Sequence, residues 1–330
     1  MKRSTTPTEM CSTSLGRSLL GWYCTFEDYV CFSATYEPQL PTVWRYENHR
    51  IRTELAQTEY PLLSEDERKP RVLDDIWGKY WIYTPILSDV IIQIPKLRTV
   101  ETQDRPAAAA KMEASMRDFH QRLEDIFDTP EVKEVLQTIT PNGPIRSRHT
   151  KCCPKPPFEP IYLEFPTAGY FRMIATGCQI YIRAIVHPAL KDALAIEGRQ
   201  VEDLGGATVT DLADILCRTF AGLEIAFADN PDALLPCFAG LVLAAMGCQP
   251  AYRDWLWHKF VHFEQMGGFA FDPIKKVCAA VWNMPEVATK GFDASKKDWP
   301  KKSFWNDPSY DELTLIMDKV KLDNEKEAAT

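Results

Sequence analysis

His258 and His262 stand four residues apart in YRDWLWHKFVHFEQ, the spacing that sets two imidazoles on one face of a helix, where together they could grip a metal ion. Glu264 lies near, but no third ligand follows at a regular offset, and Trp255, Trp257, Phe260 and Phe263 crowd the pair with rings. The plainer account is an aromatic helix in a packed interior, and no metal is expected. Asp74-Asp75, just ahead of IWGKYW, has the form of a carboxylate pair for divalent cations, yet the spaced third acid is missing because position 78 is Gly78. These two acids are expected instead at a helix start, where carboxylates complement the positive end of the dipole. Phosphate-cradling, dinucleotide-binding, nucleophile-elbow and zincin patterns are all absent from the sequence. Nine Trp, twelve Tyr and sixteen Phe could still wall an apolar pocket. Tyr80, Tyr170, Arg183 and His258 are the polar side chains suited to orient a flexible ligand there. No cofactor is expected.

Ten cysteines occur, at spacings that contain no C-x2-C pair, so no zinc finger can be written on these residues. Cys24, Cys31, Cys178, Cys217, Cys237, Cys248 and Cys278 lie in apolar or helical segments and read as small reduced hydrophobes. With 38 basic against 46 acidic residues the net charge is −8, which repels a phosphate backbone and argues against specific DNA binding by this chain alone. Two local basic patches stand out. Arg146, Arg148, Lys151 and Lys155 fall in a Pro-rich stretch with Cys152-Cys153, and Lys296, Lys297, Lys301 and Lys302 interleave with Trp299 and Trp305. Both are expected to be solvated loops. The basic start MKRSTTPTEM is followed by an apolar stretch broken by Arg17, Glu27 and Asp28, which is no signal-peptide core. A nuclear or cytoplasmic, non-secreted protein is expected.

The elements that must carry these residues read as helices, and the expected fold class is all-α. Apolar residues recur every three to four positions in five windows. The first holds Leu15, Leu19, Trp22, Phe26 and Val30, the second Ile76, Tyr80, Tyr83, Leu87, Val90 and Ile94, the third Met112, Met116, Phe119, Leu123 and Ile126. Tyr170, Ile174, Cys178, Tyr181 and Ile185 make the fourth, and Leu212, Leu216, Phe220, Leu223 and Phe227 the fifth, behind a capping box at Thr208 and Asp211. Each stripe is expected to face a core. Pro85 is expected to break the second helix. YLEF, at 162 to 165, is the one weak strand candidate. LLPCFAGLVLAAMG, within an apolar run from Ala233 to Cys248, is short of the roughly 20 residues that cross a bilayer and reads as a buried helix. Short helices are also expected around Ile274 to Trp282 and Leu313 to Val320. The organisation expected is a flexible start over 1–14, one all-α domain over 15–322 with a Pro-rich loop at 140–166, and a tail at 323–330.

Two stretches resemble the regulatory domain of fungal-specific transcription factors of the zinc binuclear cluster type. LGRSLLGWYCTFEDYVCFSA is similar to that family's tryptophan-containing helix, and LLPCFAGLVLAAMGCQPAYRDWLWHKFVHFEQMGGFAFDPIKKVCAAVWNMPE to its terminal module. The signposts are Leu235, Pro236, Phe238, Ala239, Gly240, Gly267 and Trp282, and the likeness spans about residues 15 to 285. It implies an all-α domain that senses an effector or binds partner proteins, such as a full-length zinc-cluster relative. It carries over no catalytic or DNA-contacting residue. The competing expectation is a helical scaffold turned small-molecule-binding enzyme, a cyclase or isomerase of fungal specialised metabolism.

Overall fold

A computed structural model describes residues 6–34, 38–97, 104–139, 155–195, 198, 200–265, 278 and 282. Its described residues are helical almost throughout, and the fold is all-α. Leu163, in the strand candidate, makes only an isolated antiparallel bridge to Thr138. The chain divides into two compact units, Met1–Ile139 with Leu163–Ala175 and Val186–Leu204, and Thr140–Tyr162 with Thr176–Ile185 and Gly205–Thr330.

The first unit begins ahead of the first expected helix with a short one, α1 (Pro7–Cys11), closed by a Thr6/Glu9 capping box and burying Cys11. Then come α2 (Ser14–Ala34), α3 (Thr42–Thr58), α4 (Glu65–Leu97), α5 (Arg105–Asp128) and α6 (Pro130–Val135). α4 packs on α2, α3 and α5. The α5 stripe is buried at all five expected positions, Met112 to Ile126. Along α4, Ile76, Tyr80, Leu87 and Val90 are buried as the period predicts.

Pro85 does not break α4, which runs unbroken for 33 residues. The missing N–H of a proline orphans the carbonyl four residues earlier, here Trp81. A guanidinium takes the vacant place: Arg45 Nη1 donates to the Trp81 carbonyl at 3.0 Å. Asp74 and Asp75 correct a second expectation, since they sit inside α4 while Glu65, Asp66 and Glu67 occupy its first turn. They are ion-pair acceptors, Asp74 for Arg52 at 3.1 Å and Asp75 for Lys79 at 2.8 Å.

α7 (Pro166–Tyr181) passes through a π-helical turn, Ile182–Val186, into α8 (His187–Ala195). Of its expected stripe Cys178 and Tyr181 are buried, and Ile185 is half-buried. Phe171, Met173, Ala175 and Ile180 are fully buried while Tyr170 and Ile174 are only half-buried. Within the first unit, Phe171 receives the edges or faces of Trp77, Tyr80 and Phe127 at centroid distances of 5.3, 6.1 and 5.7 Å.

In the second unit α9 (Val209–Ala226) starts at the expected Thr208/Asp211 capping box. The apolar stretch is a 3₁₀ turn, Pro231–Cys237, followed by α10 (Phe238–Gly247), which packs on α9. Gly240, Leu241, Ala244 and Ala245 are buried, and Gly177 meets Gly240 so closely that a Cβ there would lie 3.7 Å from its Cα. Among the described residues no helix is long and apolar enough to cross a membrane. After a second 3₁₀ turn, Pro250–Tyr252, comes α11 (Arg253–Gln265). The described end of the Pro-rich stretch is pinned to this unit: Ile161 N–H donates to the Arg218 carbonyl at 2.8 Å, and Phe158 packs 4.4 Å from Tyr252 and 5.0 Å from Trp255. Trp282 Nε1 donates to the Ala245 carbonyl at 2.8 Å. Residues 140–154, the Lys296–Lys302 patch, Gly267, the last expected helix and the tail lie outside the described residues.

Candidate functional site

α2 is turned inside out relative to its sequence pattern. Leu15 and Trp22 are each 70% exposed, Phe26 56%, Leu19 54% and Tyr23 46%. Four of the expected core positions therefore face outward. The opposite side, which packs inward, carries Leu20, Cys24, Glu27 and Asp28, all buried.

One cation on α3 explains the rotation. Arg45, 1% exposed, reaches Glu27 Oε2 at 2.7 Å and Asp28 Oδ1 at 2.9 Å with Nη2, while Nη1 donates to Thr84 Oγ1 at 2.9 Å and to the Trp81 carbonyl. The second oxygen of Glu27 accepts the backbone N–H groups of Gln39 and Leu40 at 2.7 and 2.6 Å. A buried charge left alone costs several kcal/mol, far more than an exposed leucine, so the acids dictate which face of α2 turns inward. Burial pushes the Asp28 carboxyl up to about 6, against the pull of the Arg45 guanidinium beside it. Burial also pushes the Cys24 thiol up to about 12.

Two turns further along α3, Arg52 extends the network. It donates to Asn48 Oδ1 at 3.0 Å, to the Arg17 carbonyl at 3.2 Å and to the Asp74 carbonyl at 3.3 Å, and its guanidinium lies 5.3 Å from the Trp81 ring. Desolvation lowers its pKa. Gly21 admits the Trp81 indole, since a Cβ there would collide with the ring, and Trp81 Nε1 donates to Thr25 Oγ1 at 3.2 Å. α2 is thus held along its inner face by Arg45 and Trp81, while its outer face stays largely exposed. On that face Trp22 and Phe26 stack with centroids 6.2 Å apart and planes 3° from parallel.

Sequence reasoning found Leu15, Leu19, Trp22 and Phe26 but gave them the wrong side, and missed Tyr23 and Arg45 altogether. A signal was present. Arg45, Asn48 and Arg52 repeat at helical spacing in TVWRYENHRIRTELAQT, a polar stripe that calls for acids such as Glu27-Asp28.

The expected pocket residues fall in both units. Tyr80 and Tyr170 belong to the first unit, Arg183 and His258 to the second. Tyr80 is buried against Phe171, Arg183 donates to the Gly205 carbonyl at 2.8 Å, and His258 is half-exposed with Asp254 3.8 Å away. An open cleft of about 410 Å³ in the first unit is lined by none of the four, but by Lys79, Tyr83, Asp118, Gln121, Arg122 and Asp125 among others. Its polar groups are engaged within the protein: Arg122 pairs with Asp118, Gln121 with Asp125 and Lys79 with Asp75, each at 2.8 Å. Among the described residues no cluster of three His, Cys, Asp or Glu could hold a metal ion. Comparison with family models, with curated proteins and with solved structures returns no match.

Proposed function

We propose that this chain is a transcription-regulator-like helical protein that acts by binding a partner protein, and that the outer face of α2 is where the partner docks. The observation that carries the reading is the exposure of Leu15, Leu19, Trp22, Tyr23 and Phe26 along one helix. Contiguous apolar patches of several hundred Å² on a folded protein mark interaction sites, and Trp and Tyr are the residues most enriched where binding energy concentrates. The likeness of the same helix to the fungal regulatory domain supports the regulatory half of the reading. The polar cleft supports a small-molecule effector less well, because its charged groups are already paired within the protein.

The test is to tether the chain to a heterologous DNA-binding domain in a fungal reporter strain. The wild-type chain should change reporter output, and Trp22→Glu should abolish the change with chain abundance unaltered. An inert wild-type fusion, or one indifferent to Trp22→Glu, overturns the proposal.

A further inference from the structure

The order of residues along the outer face of α2 points to its occupant: we infer that it is α2 of a second copy of this chain, packed antiparallel. This rests on the reading of that face as a docking surface and names what docks there.

Leu15, Leu19, Trp22 and Phe26 are spaced four, three and four residues apart, the alternation of a coiled-coil seam. The seam is aliphatic in its first half and aromatic in its second. In an antiparallel pair centred between Leu19 and Trp22, each Leu19 faces the Trp22 of the other copy and each Leu15 faces the other Phe26. Every small side chain then meets a large ring, the alternation that fills space between helices. A parallel pair would set indole on indole. Antiparallel alignment also brings opposite helix-dipole ends together.

Charge allows the same partner. Copies carrying −8 each repel one another, so self-association needs a surface without like charges. From Ser12 to Phe26 the only charged side chain is Arg17, half-buried and donating to the Cys11 carbonyl at 2.9 Å. The two acids of α2 are turned inward against Arg45, away from this face. The area suffices for a modest interface. Applied to the roughly 150–250 Å² of a large side chain, the exposures of the five residues leave about 600 Å² per copy, hence about 1,200 Å² in a pair, the lower edge of specific interfaces.

Sedimentation velocity across a concentration series of the whole chain tests this. The wild type should reach a dimer, and Leu19→Lys and Trp22→Glu alone should each weaken it by about 100-fold or more, since a symmetric pair suffers every substitution twice. Mixing the two variants should restore a heterodimer, because position 19 of one copy meets position 22 of the other. Leu15→Glu mixed with Phe26→Lys repeats the test independently should either first variant fail to keep the wild-type urea midpoint. A chain that stays monomeric, a dimer indifferent to these substitutions, or mixtures that do not pair overturn the inference. A monomer whose tethered reporter effect still depends on Trp22 removes the second copy alone and leaves the partner-binding reading standing, whereas loss of both effects removes both.

Discussion

Arg45 is the residue on which the first unit turns, because it serves two carboxylates, a hydroxyl and an orphaned carbonyl from a position closed to water. Replacing one member of a buried ionic group strands the rest, at about 3–5 kcal/mol. Arg45→Met should lower unfolding free energy by that amount in urea titrations. Asp28→Asn should behave in the opposite way, since it keeps an oxygen for Arg45 while removing one of two negative charges from a site with a single cation. The pH dependence follows from the same imbalance. With an unfolded value near 3.8 and a folded value of about 6, Asp28 retains a proton in the native state that the unfolded chain has already released. Its contribution to stability is therefore full below pH 4, is lost as pH rises through 6, and is absent above. Denaturation midpoints measured from pH 4 to 8 should fall over that window in the wild type and flatten in Asp28→Asn, which should be at least as stable as wild type at pH 7.

At the scale of helices, periodicity was legible where one apolar stripe faces the core. The α5 stripe and the α9 capping box lie where the sequence puts them because both depend on residues within a turn or two of each other. α2 was not legible in this way. The period locates a stripe without saying what it faces, and the deciding contacts join Glu27 and Asp28 to Arg45 across 18 and 17 residues. Pro85 misled for a related reason: local rules count the lost hydrogen bond but cannot see the arginine that replaces it. Four of the five exposed residues of α2 were thus legible in the sequence, while Tyr23 and the direction in which the face turns awaited tertiary structure. Close helix contact yields a further expectation. A side chain at Gly177 must push into Leu243, whose Cδ1 would lie 3.3 Å from a Cβ, whereas nothing lies within 4 Å of one at Gly205. Gly177→Leu should cost about 1–3 kcal/mol in chemical denaturation and Gly205→Leu close to nothing.

Over the whole molecule, net charge −8 sets the relation to nucleic acid. The purified chain should enrich no motif from a random duplex library at moderate salt, and enrichment of one motif by the chain alone would contradict the partner-dependent reading. Thiol chemistry should report the integrity of both units together. Cys11, Cys24, Cys178, Cys217, Cys237, Cys248 and Cys278 are free and buried, so none should be alkylated by a maleimide until denaturant is added, as peptide mass mapping would show. The grip of Glu27 on the connection between α2 and α3 has a further effect, on time rather than energy. The amides of Gln39 and Leu40 belong to no helix, yet each is tied to a carboxylate sealed beneath the α2–α3 corner. Solvent deuterium should reach them only when that corner opens, at the pace of the helical amides around them. Two loop protons thereby become a clock for the opening of the first unit.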